Sequence, residues 1–327
     1  MSSATGNSLG DNSENRGPPL RIYVVILFVV ALIATGLRFW SRALYVPQSR
    51  QFHRFWWDDW IALAAAAAFT LEVIVTLLMI ESGLGLHIWA LSMPQLASLF
   101  KYVYAFQFVY AITIPLSKAS ALLFLKRIFP DYEKTAWFNV IVWVTHALNV
   151  GWFVGIVVAS FLNCDPVEKN WKPWVPGTCR PTHELYLGSA VTSVFIDLII
   201  LLLPMPRVWR LRIGFARRCA VTAIFALGYT VVIASIGRLV VTDTKATGLE
   251  TDFSYGGLDV FYWTFAESAT LILCISLPAM PNLIYYLCED SWYRTGKRFL
   301  SLFRCGRLKR NPQETREGKA LYATTNE

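Results

Sequence analysis

Charged residues are scarce in this chain of 327 residues. Asp, Glu, Lys and Arg make up 16% of it, whereas soluble domains usually carry about 25%. Hydrophobic residues reach 55% and come in long blocks, so they do not build one soluble core. Six cysteines are too few for a scaffold made of disulfides. The low charge and the many aromatic residues also exclude intrinsic disorder for most of the chain.

The sequence has few of the residues on which enzymes rely. Its four histidines do not form the clustered boxes of membrane di-iron desaturases. It contains no H-E-x-x-H motif and no glycine motif that cradles phosphate. His87 and His183 have no fixed metal-ligand spacing, so we give a metal pair little weight. We therefore expect no catalytic residue, no metal and no cofactor.

Seven apolar blocks are long enough to cross a bilayer, which needs roughly 20 residues of helix. They run approximately over residues 22–43, 59–80, 99–125, 137–161, 184–205, 220–241 and 258–284. The predicted fold class is therefore all-α, a polytopic membrane protein with a bundle of seven transmembrane helices. Membrane lipids are its first expected partner.

The distribution of positive charge predicts how the bundle is oriented. Twenty of the 30 Lys and Arg residues lie in the odd-numbered loops and the C-terminal tail, and seven lie on the other side. Cytoplasmic segments carry this excess, so we expect the N-terminus outside and the C-terminus inside, as in G-protein-coupled receptors. The net charge of +8 follows from this inner belt, and we expect no nucleic-acid partner. The plasma membrane is favoured over an internal membrane.

The chain divides into one membrane domain and three flanking segments. Residues 1–20 are predicted to be a disordered outer tail, 21–285 the seven-helix domain and 311–327 a disordered inner tail. Residues 286–310 read as a basic amphipathic segment suited to the anionic inner leaflet, although a solvated basic tail is the alternative. Cys288 and Cys305 in this segment are candidates for palmitoylation.

Two cysteines fall in the same predicted outer loop, residues 163–179. Cys164 and Cys179 face an oxidising compartment in the predicted topology, so we expect a disulfide between them. The closed loop would be a lid over an outer cavity or only a staple. Trp171 and Trp174 in this loop would contact a ligand or sit at headgroup level.

Five ionisable residues inside the spans stand out: Glu72, Lys118, Asp197, Arg238 and Glu267. A charge at mid-bilayer is costly, so these side chains should face the bundle interior. Counting from the inner boundary places Lys118 and Asp197 at about 12 and 15 Å, which predicts an ion pair. The other three are expected in a second cluster nearer the outside. The five residues would form a ligand site, a proton path or a switch, or they would only fix the helix register.

Asp58 and Asp59 stand at the predicted inner start of span two. Carboxylates are favoured at a helix N-terminus because they complement the helix dipole and cap free N–H groups. We therefore interpret this pair as a cap and not as a catalytic dyad.

Several short motifs follow one another from span two to span seven. They are WDDWIALAA at 57–65, GLGLH at 83–87, KASALLFLKRIFP at 118–130, NCDPVEKNW with Cys179, IDLIILLLPMPRVWRL at 196–211, SIGRL at 235–239, and Glu267 with LILCISLPAMPNL. Taken in order, they resemble the fungal rhodopsin-domain family of seven-helix integral membrane proteins, and the resemblance covers about residues 20–285. The chain is similar to the satratoxin-cluster and Pth-type receptor-like group, without the eight-cysteine CFEM domain that receptor-like relatives often carry.

The resemblance implies seven helices, an outer N-terminus and a receptor-like or sensory role, linked in some members to secondary metabolism. Span seven has no lysine for a retinal Schiff base, so no pigment is expected. Span three ends in LKRIFP without an Asp-Arg-Tyr signature, and span seven lacks Asn-Pro-x-x-Tyr. Coupling to a G protein is therefore not carried over.

The main functional hypothesis is a sensor that binds a small molecule in an outer cavity under the disulfide loop. It would pass a shift in spans five to seven to a cytoplasmic signalling partner. The alternative is a transporter or export accessory protein that uses the buried charges as a path. A membrane enzyme ranks below both, because no catalytic constellation is found.

Overall fold

The computed structural model describes residues 15–44, 56–128, 136–205, 215–245 and 252–277. Within these ranges, seven long helices are long and apolar enough to cross a membrane. They are α1 Gly17–Leu44, α2 Trp57–Glu81, α3 Met93–Ile128, α4 Ala136–Phe161, α5 Thr182–Leu202, α6 Phe215–Thr244 and α7 Leu258–Ser276. The predicted all-α seven-helix class is confirmed.

Three helices begin several residues before their predicted blocks: α1 at Gly17, α3 at Met93 and α6 at Phe215. Helix α1 begins at Gly17, inside the predicted N-terminal tail, because Pro18 and Pro19 fit the first turn of a helix. Helix α3 begins at Met93 and continues through Pro115. The predicted end of span seven, the segment 286–310 with Cys288 and Cys305, and the tail 311–327 lie outside the described residues.

The bundle places large apolar side chains on its outside. Along α1, Ile22, Ile26 and Ile33 are more than half exposed, and Val150, Val154 and Val158 form a similar row on α4. The interior instead holds many Ser, Thr and charged side chains. Exposed apolar surface of this extent needs lipid around it. The chain is a multi-pass membrane protein.

The core packs mainly around α7. Phe265 is fully buried, and its ring centroid lies 6.1 Å from both Phe69 on α2 and Phe106 on α3. Phe261, one turn earlier, lies 5.2 Å edge-on from Phe106. Aromatic pairs in this geometry add to the stabilisation from burial. Helix α7 is therefore held in the middle of the bundle.

The GLGLH motif joins three parts of the chain at one end of the bundle. Gly85 has a positive φ of 106°, and a Cβ there would lie 2.4 Å from the backbone nitrogen of Gly17. The Gly85 carbonyl accepts a bond from Arg16 N–H, and its own N–H donates to the Ser254 carbonyl. Only glycine fits this close approach. The motif thus ties the start of α1 to the one-turn helix Phe253–Gly256 before α7.

His87 ends the same motif and is also held by contacts. Its ring stacks between Trp89 and Tyr255, at centroid distances of 4.2 and 4.0 Å. Its Nδ1 lies 2.6 Å from Asp252 Oδ2. In the described residues no group of three or more potential metal ligands occurs. His87 therefore links the α2–α3 connection to the segment before α7.

The predicted disulfide between Cys164 and Cys179 is confirmed. It lies at the same end as the GLGLH motif, which we call the disulfide end; the end that carries Asp58 is the Asp58 end. Two short antiparallel strands, β1 Cys164–Asp165 and β2 Thr178–Cys179, hold the bridge between α4 and α5. Trp171 packs on Tyr104 of α3 at 5.4 Å, whereas Trp174 is exposed. The loop therefore lies over the end of α3.

Loss of this disulfide should destabilise the protein. In the chain-entropy model a bridge that closes about 15 residues contributes about 3 kcal/mol. We expect Cys164→Ala and Cys179→Ala each to lower the thermal midpoint in lipid nanodiscs. The double variant should be no less stable than either single variant, because all three lose the same bond. A double variant that falls by the sum of the two would contradict this.

Candidate functional site

Glu267 is the centre of a polar network in the middle of the bundle. Its fully buried carboxylate accepts hydrogen bonds from Tyr110 on α3 at 3.1 Å, from Ser193 on α5 at 2.9 Å and from Ser235 on α6 at 2.7 Å. Arg238 on α6 donates to it at 2.5 Å. One side chain of α7 therefore joins three neighbouring helices.

The Lys118–Asp197 pair belongs to the same network. The Lys118 ammonium lies 3.0 Å from the Asp197 carboxylate and donates to Ser193 Oγ at 2.8 Å. Ser193 in turn donates to Glu267, and Ser235 Oγ lies 2.6 Å from Asp197 Oδ2. The sequence predicts two separate clusters. Ser193 and Ser235 join these clusters into one network, because each hydroxyl contacts a member of both clusters.

Ser235 stands between two carboxylates. Its oxygen lies 2.6 Å from Asp197 and 2.7 Å from Glu267. A hydroxyl has one proton to donate, so it can satisfy only one of these acceptors at a time. The network therefore has two arrangements that differ in the direction of one O–H bond.

The sequence groups Glu72 with Arg238, but the structure places Glu72 apart from this cation. It is fully buried on α2 and accepts a hydrogen bond from Ser268 Oγ at 3.0 Å. Ser268 follows Glu267 and points to a different side of α7, so Glu72 meets the helix away from Arg238. The two cations, Lys118 and Arg238, pair with Asp197 and Glu267. No salt bridge to Glu72 is found in the described part of the chain.

The SIGRL motif explains how Arg238 reaches Glu267. A Cβ on Gly237 would lie 2.2 Å from ring atoms of Trp263, so the absence of a side chain lets α6 approach α7. Arg238 then meets Glu267 and lies over the Tyr110 ring, with its Cζ 5.4 Å from the centroid. The glycine and the arginine therefore act together.

A cavity of about 90 Å³, which we call the inner cavity, lies between the network and the disulfide end. Its walls are mostly apolar and come from α3, α4, α5, α6 and α7, with Phe106, Phe261 and Val260 among them. Arg238 and Tyr110 form its inner end. The cavity therefore reaches the charged network directly.

A larger space of about 390 Å³, which we call the vestibule, lies beneath the disulfide loop. It shares Gln107 and Tyr186 with the inner cavity, and these two side chains are hydrogen-bonded to each other. Tyr104 and His183 also line it. Their Oη and Nδ1 atoms are buried, and neither has a hydrogen-bond partner among the described residues. The Gln107–Tyr186 contact separates the vestibule from the inner cavity.

A further apolar cavity, of about 80 Å³, lies on the other side of the network. Asp197 lines it, together with Phe124, Phe225 and the free thiol of Cys274. The network thus stands between two cavities, with Arg238 facing one and Asp197 facing the other.

A second ionic cluster fixes the Asp58 end. Asp58 and Asp59 are both buried, and Arg38 on α1 lies 2.8 Å from the first and 2.7 Å from the second. Arg38 also donates to the carbonyl of Ile275 on α7. Arg127 on α3 lies 3.2 Å from Asp58. Four helices therefore meet at this cluster.

From the sequence, Asp58 and Asp59 are interpreted only as a helix cap. Asp59 does accept a hydrogen bond from the Trp56 N–H at 3.2 Å, but both aspartates also form ion pairs with Arg38. A usable signal was present: Arg38 is a charge inside span one, about as deep as the start of span two. Two opposite charges at one depth predict a pair, as they did for Lys118 and Asp197.

The chain belongs to the family described as the fungal rhodopsin domain, whose model matches residues 37–286. The conclusion agrees with the motifs, since WDDW, GLGLH and SIGRL each hold one of the contacts above. No solved structure matches the chain significantly.

Relatives come from biosynthetic clusters and from a receptor. The chain is 23% identical to the polyenoic acids biosynthesis gene cluster protein Ba17b of Metarhizium anisopliae, over 83% of this chain and 75% of that protein. It is 26% identical to the wortmanamides biosynthesis cluster protein C of Talaromyces wortmannii, over 82% and 72%. It is 25% identical to the receptor GIN3 of Arthrobotrys oligospora, over 83% and 64%.

Two substitutions of glutamate by glutamine should have different effects. Glu267→Gln leaves the buried Arg238 without its counter-charge, and breaking such a pair typically costs about 3–5 kcal/mol. Glu72→Gln removes no cation partner and keeps an oxygen that accepts from Ser268. We expect Glu267→Gln to lower the thermal midpoint in nanodiscs strongly and Glu72→Gln only slightly.

The matched control is the double variant Arg238→Gln with Glu267→Gln. It replaces both charged groups by uncharged amides, so that neither is left as an unpaired buried charge. It should therefore recover much of the stability that Glu267→Gln loses. Equal losses for Glu72→Gln and Glu267→Gln would show that the pairing described above does not set the stability.

Proposed function

We propose that the protein is a receptor-like sensor and not an enzyme. It binds a small molecule in the inner cavity, which the molecule enters through the vestibule. In this proposal the disulfide end faces outside, the Asp58 end faces the cytoplasm and the protein resides in the plasma membrane. A cytoplasmic partner reads the Asp58 end.

The observation that carries the proposal is the position of Arg238. It is both part of the cavity lining and a direct partner of Glu267. A molecule in the cavity therefore touches a residue whose own contacts reach Tyr110 on α3 and Glu267 on α7. Binding pockets of this kind are mostly apolar with a few convergent polar groups.

The route from the cavity to the other end follows α7. Glu267 sits two turns before Ile275, whose carbonyl accepts from Arg38 in the cluster at the Asp58 end. The alternative placements of the Ser235 proton give the network two states for a ligand to bias. A ligand shifts such an equilibrium only by the difference of its affinities for the two states. The relative named receptor GIN3 is consistent with a sensory role.

A transporter or export accessory is the second candidate. The observation that favours it is the pair of cavities on opposite sides of one polar network, each touching a charged member. Such an arrangement suits a path gated in the middle. Relatives named for biosynthetic clusters are compatible with either function.

Filling the inner cavity should abolish ligand binding. We expect an organic extract of the source organism's culture medium to raise the thermal midpoint of the protein in nanodiscs. Val260→Phe fills the cavity and should remove this shift. Val240→Phe adds the same ring on the exposed side of α6 and should keep it.

The two candidate functions differ in proteoliposomes. The receptor predicts no proton movement when the same extract is added to vesicles that contain a pH-sensitive dye. Proton flux that Arg238→Gln with Glu267→Gln abolishes would overturn the sensor in favour of transport.

The orientation has its own test. Epitope tags on the two termini of the full chain, probed in intact and permeabilised cells, should lie in opposite compartments. An N-terminal tag accessible only after permeabilisation would contradict the outer position of the disulfide end.

A further inference from the structure

We propose that the ligand is an elongated apolar molecule that ends in a carboxylate, and that this carboxylate reaches Arg238. The inference rests on the proposed function, because it assigns a chemical class to the molecule in the inner cavity. It is carried by three observations: the charge at the inner end, the charge at the entrance and the character of the walls.

A guanidinium has five N–H groups, and among the described residues the side chain of Arg238 donates hydrogen bonds to Glu267, through Nε and one Nη. Within the described part of the chain, the inner end therefore has donors left for a ligand. Of the described residues that line the inner cavity, Arg238 is the charged one. Guanidinium groups match carboxylates in a planar, two-bond geometry. The free edge of Arg238 therefore fits an acid.

The entrance has the same sign of charge. Lys169 and Arg180 line the vestibule, and none of the described residues that line it is Asp or Glu. A passage lined by one sign of charge concentrates molecules of the opposite sign.

The walls between these points favour a hydrocarbon body. Phe106, Phe253 and Phe261 line the inner cavity together with Val103, Ile156 and Leu185. An aliphatic or polyene chain would bury its surface there at the usual gain for apolar contact. A sugar or a small peptide would leave polar groups unpaired against these walls, which is costly.

Glu267 can release part of Arg238 without losing all its donors. It also accepts from Tyr110, Ser193 and Ser235. A ligand carboxylate on the free edge of Arg238 shares the charge of the guanidinium with Glu267, which keeps these three donors. The acid would then change the network that the proposed function uses as its switch.

The test compares three probes that share a ten-carbon chain: decanoic acid, decan-1-ol and methyl decanoate. The protein is placed in nanodiscs of uncharged lipid, and binding is followed by the shift of the thermal midpoint at neutral pH. We expect the acid to bind at least about tenfold more tightly than either neutral probe, since hydrogen bonds to charged groups are the stronger ones. Val260→Phe should remove binding of the acid, which separates it from partition into lipid.

Two variants locate the preference. Arg238→Gln with Glu267→Gln keeps the pair neutral and should abolish the preference, so that the acid binds no more tightly than decan-1-ol. Arg180→Gln at the exposed vestibule should weaken the acid severalfold. Equal binding of the three probes, or a preference that survives the double variant, overturns the carboxylate assignment.

The failure of this inference is distinct from the failure of the proposed function. If no probe binds but the culture extract still stabilises the wild type and not Val260→Phe, the cavity stands and its ligand is of another class. If neither the probes nor the extract gives a shift that Val260→Phe removes, both proposals fall.

Discussion

The structure depends on one buried ion pair, between Glu267 and Arg238. Neither charge can be hydrated in the middle of a bilayer, so each must find its partners within the protein. Glu267 is satisfied by a tyrosine, two serines and the arginine, which stand on three different helices. The positions of α3, α5 and α6 relative to α7 are therefore fixed by the same four contacts that neutralise the charge.

The two ends of the bundle are held by different means. At the disulfide end, backbone bonds around Gly85 and the stacked ring of His87 join short connections between helices. At the Asp58 end, arginines of α1 and α3 converge on two aspartates of α2. Helix α7 takes part at both ends and in the centre. A displacement of α7 at the network must therefore be accommodated at one end or the other.

Much of the architecture could be predicted because lipid imposes simple rules. Span lengths follow from bilayer thickness, and the similar depths of Lys118 and Asp197 in the membrane indicated that they pair. Serines carry no such signal, since Ser193 and Ser235 resemble any other small residue in an apolar run. Their role as bridges depends on which side of the helix they face and on neighbours one or two helices away in sequence. Counting depths could also have predicted the pairing of Arg38 with Asp58 and Asp59. It was not predicted, because the two aspartates were interpreted as a local helix cap.

A network of this kind is an unusual way to hold a bundle together. Replacing a buried ion pair by apolar residues of similar volume is often neutral or stabilising, so stability alone does not explain the charges. Register alone would need one pair, whereas here two pairs share serines and stand between two cavities. A single hydroxyl proton between two carboxylates gives the centre two arrangements. Sensing and transport both need such a bistable centre, and they differ in whether anything passes through it.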